Sequence, residues 1–297
     1  MSGLYVFGDS YLDSGAALTV SQAAVAAGVP GAKVMPAPPG SPVYATGRWC
    51  DGPTMAEHLA TDLAVPLVNY AIGGSKAAGG NYHAWLDYFV DTGLAAQVES
   101  LAIAQRGASL AADAICVIGT GTNDFFQYQD FRQPGYIVLD EAPRLSPASV
   151  AARAARSVGL AVERLHALGG RRFLLAEAYA IEATPFVVDV EAQVGHATSY
   201  GSAFDLALAE ETRRLTGRGL EVVVAPVGAA MRRLAAAPES VGITDVRRPC
   251  QPMLPVPGSR QGRPEAHFWW DEYHPSAVVQ RFLGTVLTER VRAAGWH

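Results

Sequence analysis

The sequence predicts an α/β fold: a three-layer αβα sandwich around a central five-stranded parallel sheet. Three observations carry this. Short apolar runs recur at long intervals, at 4–7 (LYVF), 66–70 (PLVNY), 114–119 (AICVIG), 172–178 (RFLLAEA) and 220–226 (LEVVVAP), each bounded as a buried strand should be. Segments with helical spacing lie between them, and strands alternating with helices imply a parallel sheet covered on both faces. Finally, 297 residues that are 49% hydrophobic can bury a sizeable core, and neither an internal repeat nor a shift in composition marks a second domain. Residues 1–297 read as one domain.

The elements follow in order. In the first run Leu4, Tyr5, Val6 and Phe7 are broken by Gly8 and Asp9, which leaves Ser10 at the carboxyl end of the strand, where open α/β sheets place ligands. Asp9 or Ser10 would serve equally as an N-cap. Residues 54–63 put Met55, Leu59 and Leu63 on one helical face. A helix at 93–105 follows Gly93, one at 146–170 opens on Ser-Pro and closes on Gly-Gly, one at 199–217 ends at Gly217, and the last spans 276–295. Two Pro-rich stretches, at 28–53 and 238–267, fit neither period and read as long functional loops rising over one edge of the sheet.

Composition excludes several classes. The net charge is -5 with no long basic run, which argues against nucleic acid and anionic membrane surfaces as partners. No apolar stretch is long enough to span a bilayer, and no signal peptide is evident; the expectation is a cytoplasmic protein, or a secreted one whose leader has been cut away. Cys50, Cys116 and Cys250 do not form a disulfide framework. Cys116 reads as a buried small hydrophobe, while Cys50 and Cys250 are free to pair or not. No spacing suggests zinc, and no cofactor is expected. The oligomeric state is open.

Four motifs carry chemistry. The first is Gly8-Asp9-Ser10, with Asp13 and Gly15 behind it. The second is Asn69 to Ala77 (NYAIGGSKA), directly after a strand; Gly73 and Gly74 allow a turn, or bare a backbone N–H toward a site. The third is Gly119 to Phe125 (GTGTNDF), whose Asn123 is either a turn residue or a side-chain amide aimed at developing negative charge. The fourth is Phe268 to Ser276 (FWWDEYHPS), where Asp271 and His274 lie three apart and Pro275 keeps His274 out of helical geometry; a carboxylate that close can hold an imidazole and fix its tautomer. Together they supply a hydroxyl nucleophile (Ser10), a base (His274), an orienting carboxylate (Asp271) and oxyanion donors (Ser10, Gly74 and Asn123). Acyl transfer asks for this set. Ser10, Gly74 and Asn123 follow three successive strands and would meet at one sheet edge.

On these motifs the chain resembles the GDSL-type esterases and lipases of the SGNH hydrolase superfamily. The four stretches match that family's Ser, Gly, Asn and His blocks in order. Residues 46–60 (TGRWCDGPTMAEHLA) resemble the Gly-Arg-aromatic-x-Asp/Asn-Gly segment of the subgroup that includes plant GDSL lipases and bacterial haemolysin-like and autotransporter esterases. NYAIGGSKA and FWWDEYHPS resemble that subgroup's second and fourth blocks, so the resemblance runs from residue 4 to about residue 290. One departure is Thr122, where the family more often has Gly; it fits if its backbone avoids positive φ. The resemblance implies a flavodoxin-like sheet, with the nucleophile on the first strand–helix turn rather than on a later Gly-x-Ser-x-Gly elbow. It implies a serine ester hydrolase with Ser10, His274 and Asp271 as triad.

The remaining candidates take supporting parts. Asp13 caps the first helix and Asp124 supports its loop. His58 and His166 sit on helical surfaces, His83 and His196 in polar loops, and His267 is the rival base. Tyr82, Trp85, Phe125, Phe126, Trp269 and Trp270 bound a small acyl pocket, form a sugar platform, or belong to the core. The expected substrate is a small-molecule short-chain acyl ester, acetylated carbohydrates included. The alternatives are a lipase, phospholipase or acyltransferase on the same triad, and a non-catalytic carbohydrate-binding protein on the same fold.

Overall fold

The computed structural model describes residues 1–36, 42–131, 145–251 and 262–296; parts of both Pro-rich stretches, 37–41 and 252–261, lie outside them. Strands β1 (Leu4–Gly8), β2 (Leu67–Asn69), β3 (Ile115–Gly119), β4 (Arg172–Ala176) and β5 (Glu221–Ala225) form one parallel sheet in the order β2-β1-β3-β4-β5. Burial explains their composition. The central strand β3 is buried at every residue and reads as a continuous apolar run, while the edge strands β2 and β5 are only half-buried.

The helices are α1 (Ala16–Ala26), α2 (Met55–Leu63), α3 (Ala84–Asp87), α4 (Leu94–Gln105), α5 (Thr122–Phe131), α6 (Pro147–Ala167), α7 (Pro185–Val188), α8 (Glu191–Thr216), α9 (Val227–Ala236) and α10 (Ala277–Ala293). The chain moves one way from β1 to β2 and the other way through β3, β4 and β5. Right-handed crossovers therefore put their helices on opposite faces. On one face α6 packs against α4 and α8; on the other α10 packs against α2 and α9. This is the flavodoxin-like three-layer arrangement, and its strand order reverses between β1 and β3, where such sheets bind ligands.

Local sequence sets the helix ends. Thr54 and Glu57 form a capping box at α2, and Ser146 and Ser149 form one at α6 with Pro147 in the first turn. Asp13 accepts from the N–H groups of Gly15, Ala16 and Ala17 and so caps α1. Arg48 pairs with Glu57 through two nitrogens, which fastens the Gly-Arg-Trp segment to α2.

Several elements differ from the sequence reading. Helix α8 begins at Glu191, eight residues before the predicted 199, so His196 lies on a helix, beside Gln129, and not in a polar loop. Helix α5 occupies a stretch read as a turn, and α9 was not anticipated. A separate two-stranded parallel sheet joins β6 (Asp245–Pro249), inside the second Pro-rich stretch, to β7 (His267–Trp269) at its end. Strands this short, one of them carrying Arg247, Arg248 and Pro249, show no alternating apolar pattern. Cys50 and Cys250 are both free and both buried, in a cluster with Tyr44 and Trp270.

The ends of β1 and β3 approach closely. Gly8 pairs with Gly119, and a Cβ on Gly8 would lie 1.9 Å from the Gly119 carbonyl oxygen. Gly8→Ala is therefore expected to destabilise the fold by at least about 1–3 kcal/mol, the usual cost of overpacking. A lower urea midpoint at unchanged slope would show it; a wild-type midpoint would mean that the two strand ends can part freely.

Candidate active site

Ser10 follows β1 in a tight turn closed by the Leu12 and Asp13 N–H groups on the Asp9 carbonyl. Helix α1 begins only at Ala16, so Ser10 is not the helix start that the sequence suggested. Asp13 takes the capping role, which frees the serine hydroxyl. Its Oγ lies 2.9 Å from His274 Nε2.

His274 owes its place to the loop between β7 and α10. Trp269 bridges Pro275, the Trp270 N–H donates to the His274 carbonyl at 2.7 Å, and the Ser276 N–H donates to Phe268 at 2.9 Å. The chain thus folds back on itself. Within the loop Asp271 Oδ1 accepts from the N–H groups of Tyr273 and His274, each at 2.7 Å, the side-chain-to-backbone pattern that makes Asp a turn former. The same turn brings His274 Nδ1 within 2.8 Å of Asp271 Oδ2. Asp271 is fully buried, with Ser10 8% and His274 5% exposed. A second carboxylate oxygen contact comes from the Tyr44 hydroxyl at 2.5 Å.

The loop after β2 completes the edge. Asn69 donates to the Leu12 carbonyl at 2.7 Å and to Ser14 at 3.0 Å, and the Gly73 N–H donates to Asp13 Oδ2 at 2.8 Å. These bonds lash the loop to the Ser10 turn. Gly74 has φ 81°, and a Cβ there would meet Asn81 Oδ1 at 2.3 Å; only glycine fits on both counts. Asn123, on the first turn of α5, donates through Nδ2 to the Ser75 carbonyl at 3.0 Å. It retains a second N–H on the same nitrogen. Asp124 accepts from Ala77 and Ala78 N–H groups, so it supports this loop as expected. Gly121 takes the positive φ of 112° at the head of α5; Thr122 is not among the positive-φ residues, so its departure from the family pattern is accommodated.

The structure therefore brings Ser10, His274, Asp271, Gly74 and Asn123 to one sheet edge. His267 is elsewhere occupied, with Nδ1 2.9 Å from the Arg263 carbonyl. His58, on α2, is half-buried with Nδ1 3.4 Å from Arg281, and His166 sits against the Gly170 carbonyl. Of the six aromatic candidates, Phe125, Phe126, Trp269 and Trp270 are buried in core clusters, while Tyr82 and Trp85 are half-buried. The rings beside His274 are instead Trp49 at 5.1 Å, Tyr11 at 6.0 Å and Tyr273 at 6.2 Å.

Residues that sequence reasoning missed are mostly connectors. Gln97 accepts from the Gly8 N–H and donates to the Gly8 carbonyl and to Ser75 Oγ. Tyr11 donates to the Tyr273 carbonyl, joining the serine turn to the histidine loop. Trp49 donates to Asp13 at 3.3 Å. Gln97 sits mid-helix and Tyr44 in a Pro-rich stretch, where no local pattern marks them. Among the described residues, no three His, Cys, Asp or Glu side chains are arranged to hold a metal ion, and no helix is long and apolar enough to cross a membrane.

Burial raises the carboxyls of Asp9, Asp13 and Asp124 despite the N–H donors around them. Asp9 is pushed up to about 7, with the Tyr11 N–H and Thr122 opposing the shift. The folded chain thus holds a proton on Asp9 that the unfolded chain gives up near 3.8. Where the native state binds more protons, stability falls as pH rises; here the loss spans about pH 4 to 7. Asp9→Asn, which keeps the Oδ1 acceptor, is expected to flatten the pH dependence across that window. Urea midpoints of both proteins from pH 4 to 8 measure it, and parallel curves would count against a protonated Asp9.

Solved structures share this architecture. The chain is 14% identical to LAE5, an alpha/beta hydrolase enzyme from the metagenome of Lake Arreo, Spain, covering 99% of this chain and 95% of that one at a TM-score of 0.50. It is 13% identical to Est24, a carbohydrate acetylesterase from Sinorhizobium meliloti, over 99% of both chains at 0.48. It is 16% identical to Axe2, an acetylxylan esterase from Geobacillus stearothermophilus, over 99% and 95% at 0.48. Of these three, the LAE5 structure alone speaks to the fold, and to nothing beyond it. No curated protein sequence matches the chain. The family profile described as GDSL-like Lipase/Acylhydrolase does match, over residues 4–287. That span takes in the whole central sheet and the loops that carry Ser10, Gly74, Asn123 and His274: the chain belongs to the GDSL-like lipase/acylhydrolase family and is a carboxylic ester hydrolase.

Proposed function

We propose that this enzyme cleaves short-chain acyl esters, acetylated carbohydrates included, through a Ser10–His274–Asp271 triad and a covalent acyl-enzyme. The observation that carries the proposal is the unbroken chain of hydrogen bonds from Ser10 Oγ to His274 Nε2 at 2.9 Å and from His274 Nδ1 to Asp271 at 2.8 Å. Ser10 Oγ attacks the ester carbonyl as His274 Nε2 takes its proton. Asp271 holds the Nδ1–H and offsets the charge that grows on the ring. The tetrahedral oxyanion is met by the Ser10 and Gly74 N–H groups and the Asn123 amide. Collapse of that intermediate expels the alcohol, which receives the proton from His274. Water, activated by the same imidazole, then releases the acid and restores Ser10.

The short-acyl reading rests on crowding. Trp49, Tyr11 and Tyr273 flank His274, and Trp49 and Tyr11 are buried. An apolar groove of about 510 Å³ lies between α2 and α10, but it is lined by residues such as His58, Val278 and Phe282 and by none of the site residues. A long acyl chain gains about 0.8 kcal/mol per methylene only where apolar surface is open to it. A closed pocket instead costs roughly 1–3 kcal/mol once overfilled.

Ser10→Ala is expected to abolish hydrolysis of p-nitrophenyl acetate with an unchanged melting temperature; wild-type turnover in that variant would remove the assignment. Asn123→Ala is expected to lower kcat by about 10²- to 10³-fold, as loss of an oxyanion donor does, with little change in KM. A change confined to KM would make Asn123 a binding or structural residue. Across p-nitrophenyl esters from acetyl to palmitoyl, kcat/KM is expected to peak at about two to four carbons, where added methylenes begin to overpack. A best substrate of eight carbons or more would replace the short-acyl reading with a lipase on the same triad.

A further inference from the structure

We infer that Tyr44 is a positioning residue for this reaction: its hydroxyl holds the Asp271 carboxylate in the orientation that serves His274. The inference rests on the triad reading above. Asp271 Oδ1 accepts from the N–H groups of Tyr273 and His274 and lies 2.9 Å from His274 Nδ1, and Oδ2 is met by His274 Nδ1 at 2.8 Å and by Tyr44 Oη at 2.5 Å. Among the described residues, Tyr44 is thus the donor from outside the histidine loop that reaches Asp271. Both groups are buried, Tyr44 at 6% and Asp271 at 0% exposure.

The ring is fixed from behind. Tyr44 packs with Cys50, Cys250 and Trp270, its ring edge-on to Trp270 at 6.3 Å. Burial and the neighbouring carboxylates of Asp271 and Glu272 raise the phenol well above its ordinary value, so the hydroxyl keeps its proton and can only donate to Asp271. A neutral donor on a buried carboxylate pins its rotamer, and here it does so from outside the histidine loop. Hydrogen bonds to charged groups are worth more than neutral ones when desolvated.

The other ionisable groups around the pair are arranged in layers. Tyr11 and Tyr273 come from the serine turn and the histidine loop; Tyr11 is itself raised by burial, with Asp9, Asp271 and Glu182 adding to the shift. Cys50, with its thiol pushed up to about 12 by burial, stands behind Tyr44. His83, lowered to about 4 by burial and by Lys33, stacks on the far side of Trp49. At neutral pH none of Tyr11, Cys50 and His83 carries charge, which leaves Tyr44 and the backbone donors to set how strongly Asp271 draws on His274.

Tyr44→Phe keeps the ring in its nest and removes one hydroxyl. With p-nitrophenyl acetate at the plateau pH, kcat is expected to fall roughly tenfold while KM stays within about twofold. The acid limb of kcat/KM is expected to move to lower pH, because a carboxylate no longer held in line stabilises the imidazolium less. A hydroxyl that only drew charge from Asp271 would, once removed, instead leave a stronger pull on His274 and move the limb to higher pH. In an Asp271→Ala background the same substitution should have no further effect on kcat, since its acceptor is gone. Wild-type kcat in Tyr44→Phe, a limb displaced upward, or an equal loss in both backgrounds would each overturn the inference. Ser10→Ala run alongside separates the two levels. An active Ser10→Ala removes the triad reading and this inference with it, whereas an inactive one with unaffected Tyr44→Phe removes the inference alone.

Discussion

One buried carboxylate, Asp13, holds three segments of this molecule in register. It caps α1 through the N–H groups of Gly15, Ala16 and Ala17, accepts from the Gly73 N–H in the loop after β2, and accepts from the Trp49 indole in the Pro-rich stretch. Burial works against its charge, and these donors oppose that cost. If the carboxylate were lost, the serine turn, the Gly73–Gly74 loop and the ring beside His274 would each lose their anchor at once. The site is therefore less a set of side chains on rigid strands than a set of loops drawn together by a shared acceptor.

The sheet supplies the rest of the order. Because the strand sequence reverses between β1 and β3, two loops diverge there and leave a crevice. Ser10 enters it from β1 and Asn123 from the start of α5. The glycine pair Gly8 and Gly119 lets the two strand ends come close enough for these loops to share neighbours. Gln97 then ties β1 to Ser75, so the donors around the crevice are fixed by hydrogen bonds that do not involve substrate. Preorganisation of this kind is what allows an oxyanion site to act without rearranging during the reaction.

Much of this was legible in the sequence because the signals were local. Buried parallel strands announce themselves as apolar runs, and each of the five appeared within a few residues of its observed bounds. The glycine, asparagine and histidine motifs were readable because each lies directly after a strand or before a helix. Long-range hydrogen bonds left no such trace. Tyr44 meets Asp271 across 227 positions, and nothing in the residues near Tyr44 encodes that partner. The same holds for Gln97, whose partners lie on β1 and in the loop after β2. Strands β6 and β7 escaped because pairing, not periodicity, defines them. Trp269 and Trp270 look like pocket walls from their place in the motif, yet the fold-back of the histidine loop turns them into the core.

The hydrogen bond between Ser10 and His274 closes a span of 264 residues. The cost of closing such a span grows slowly with its length, but the contact cannot form until everything between has found its place. No hairpin, half-sheet or single βαβ unit contains both partners. If Ser10 and His274 act as proposed, reactivity toward esters is withheld from any partly assembled form of this chain, and the hydroxyl at residue 10 stays an ordinary alcohol until α10 has docked. On that proposal turnover is a stricter gauge of native assembly than helix content or compactness, because it would vanish with the first opening of the segment that carries His274.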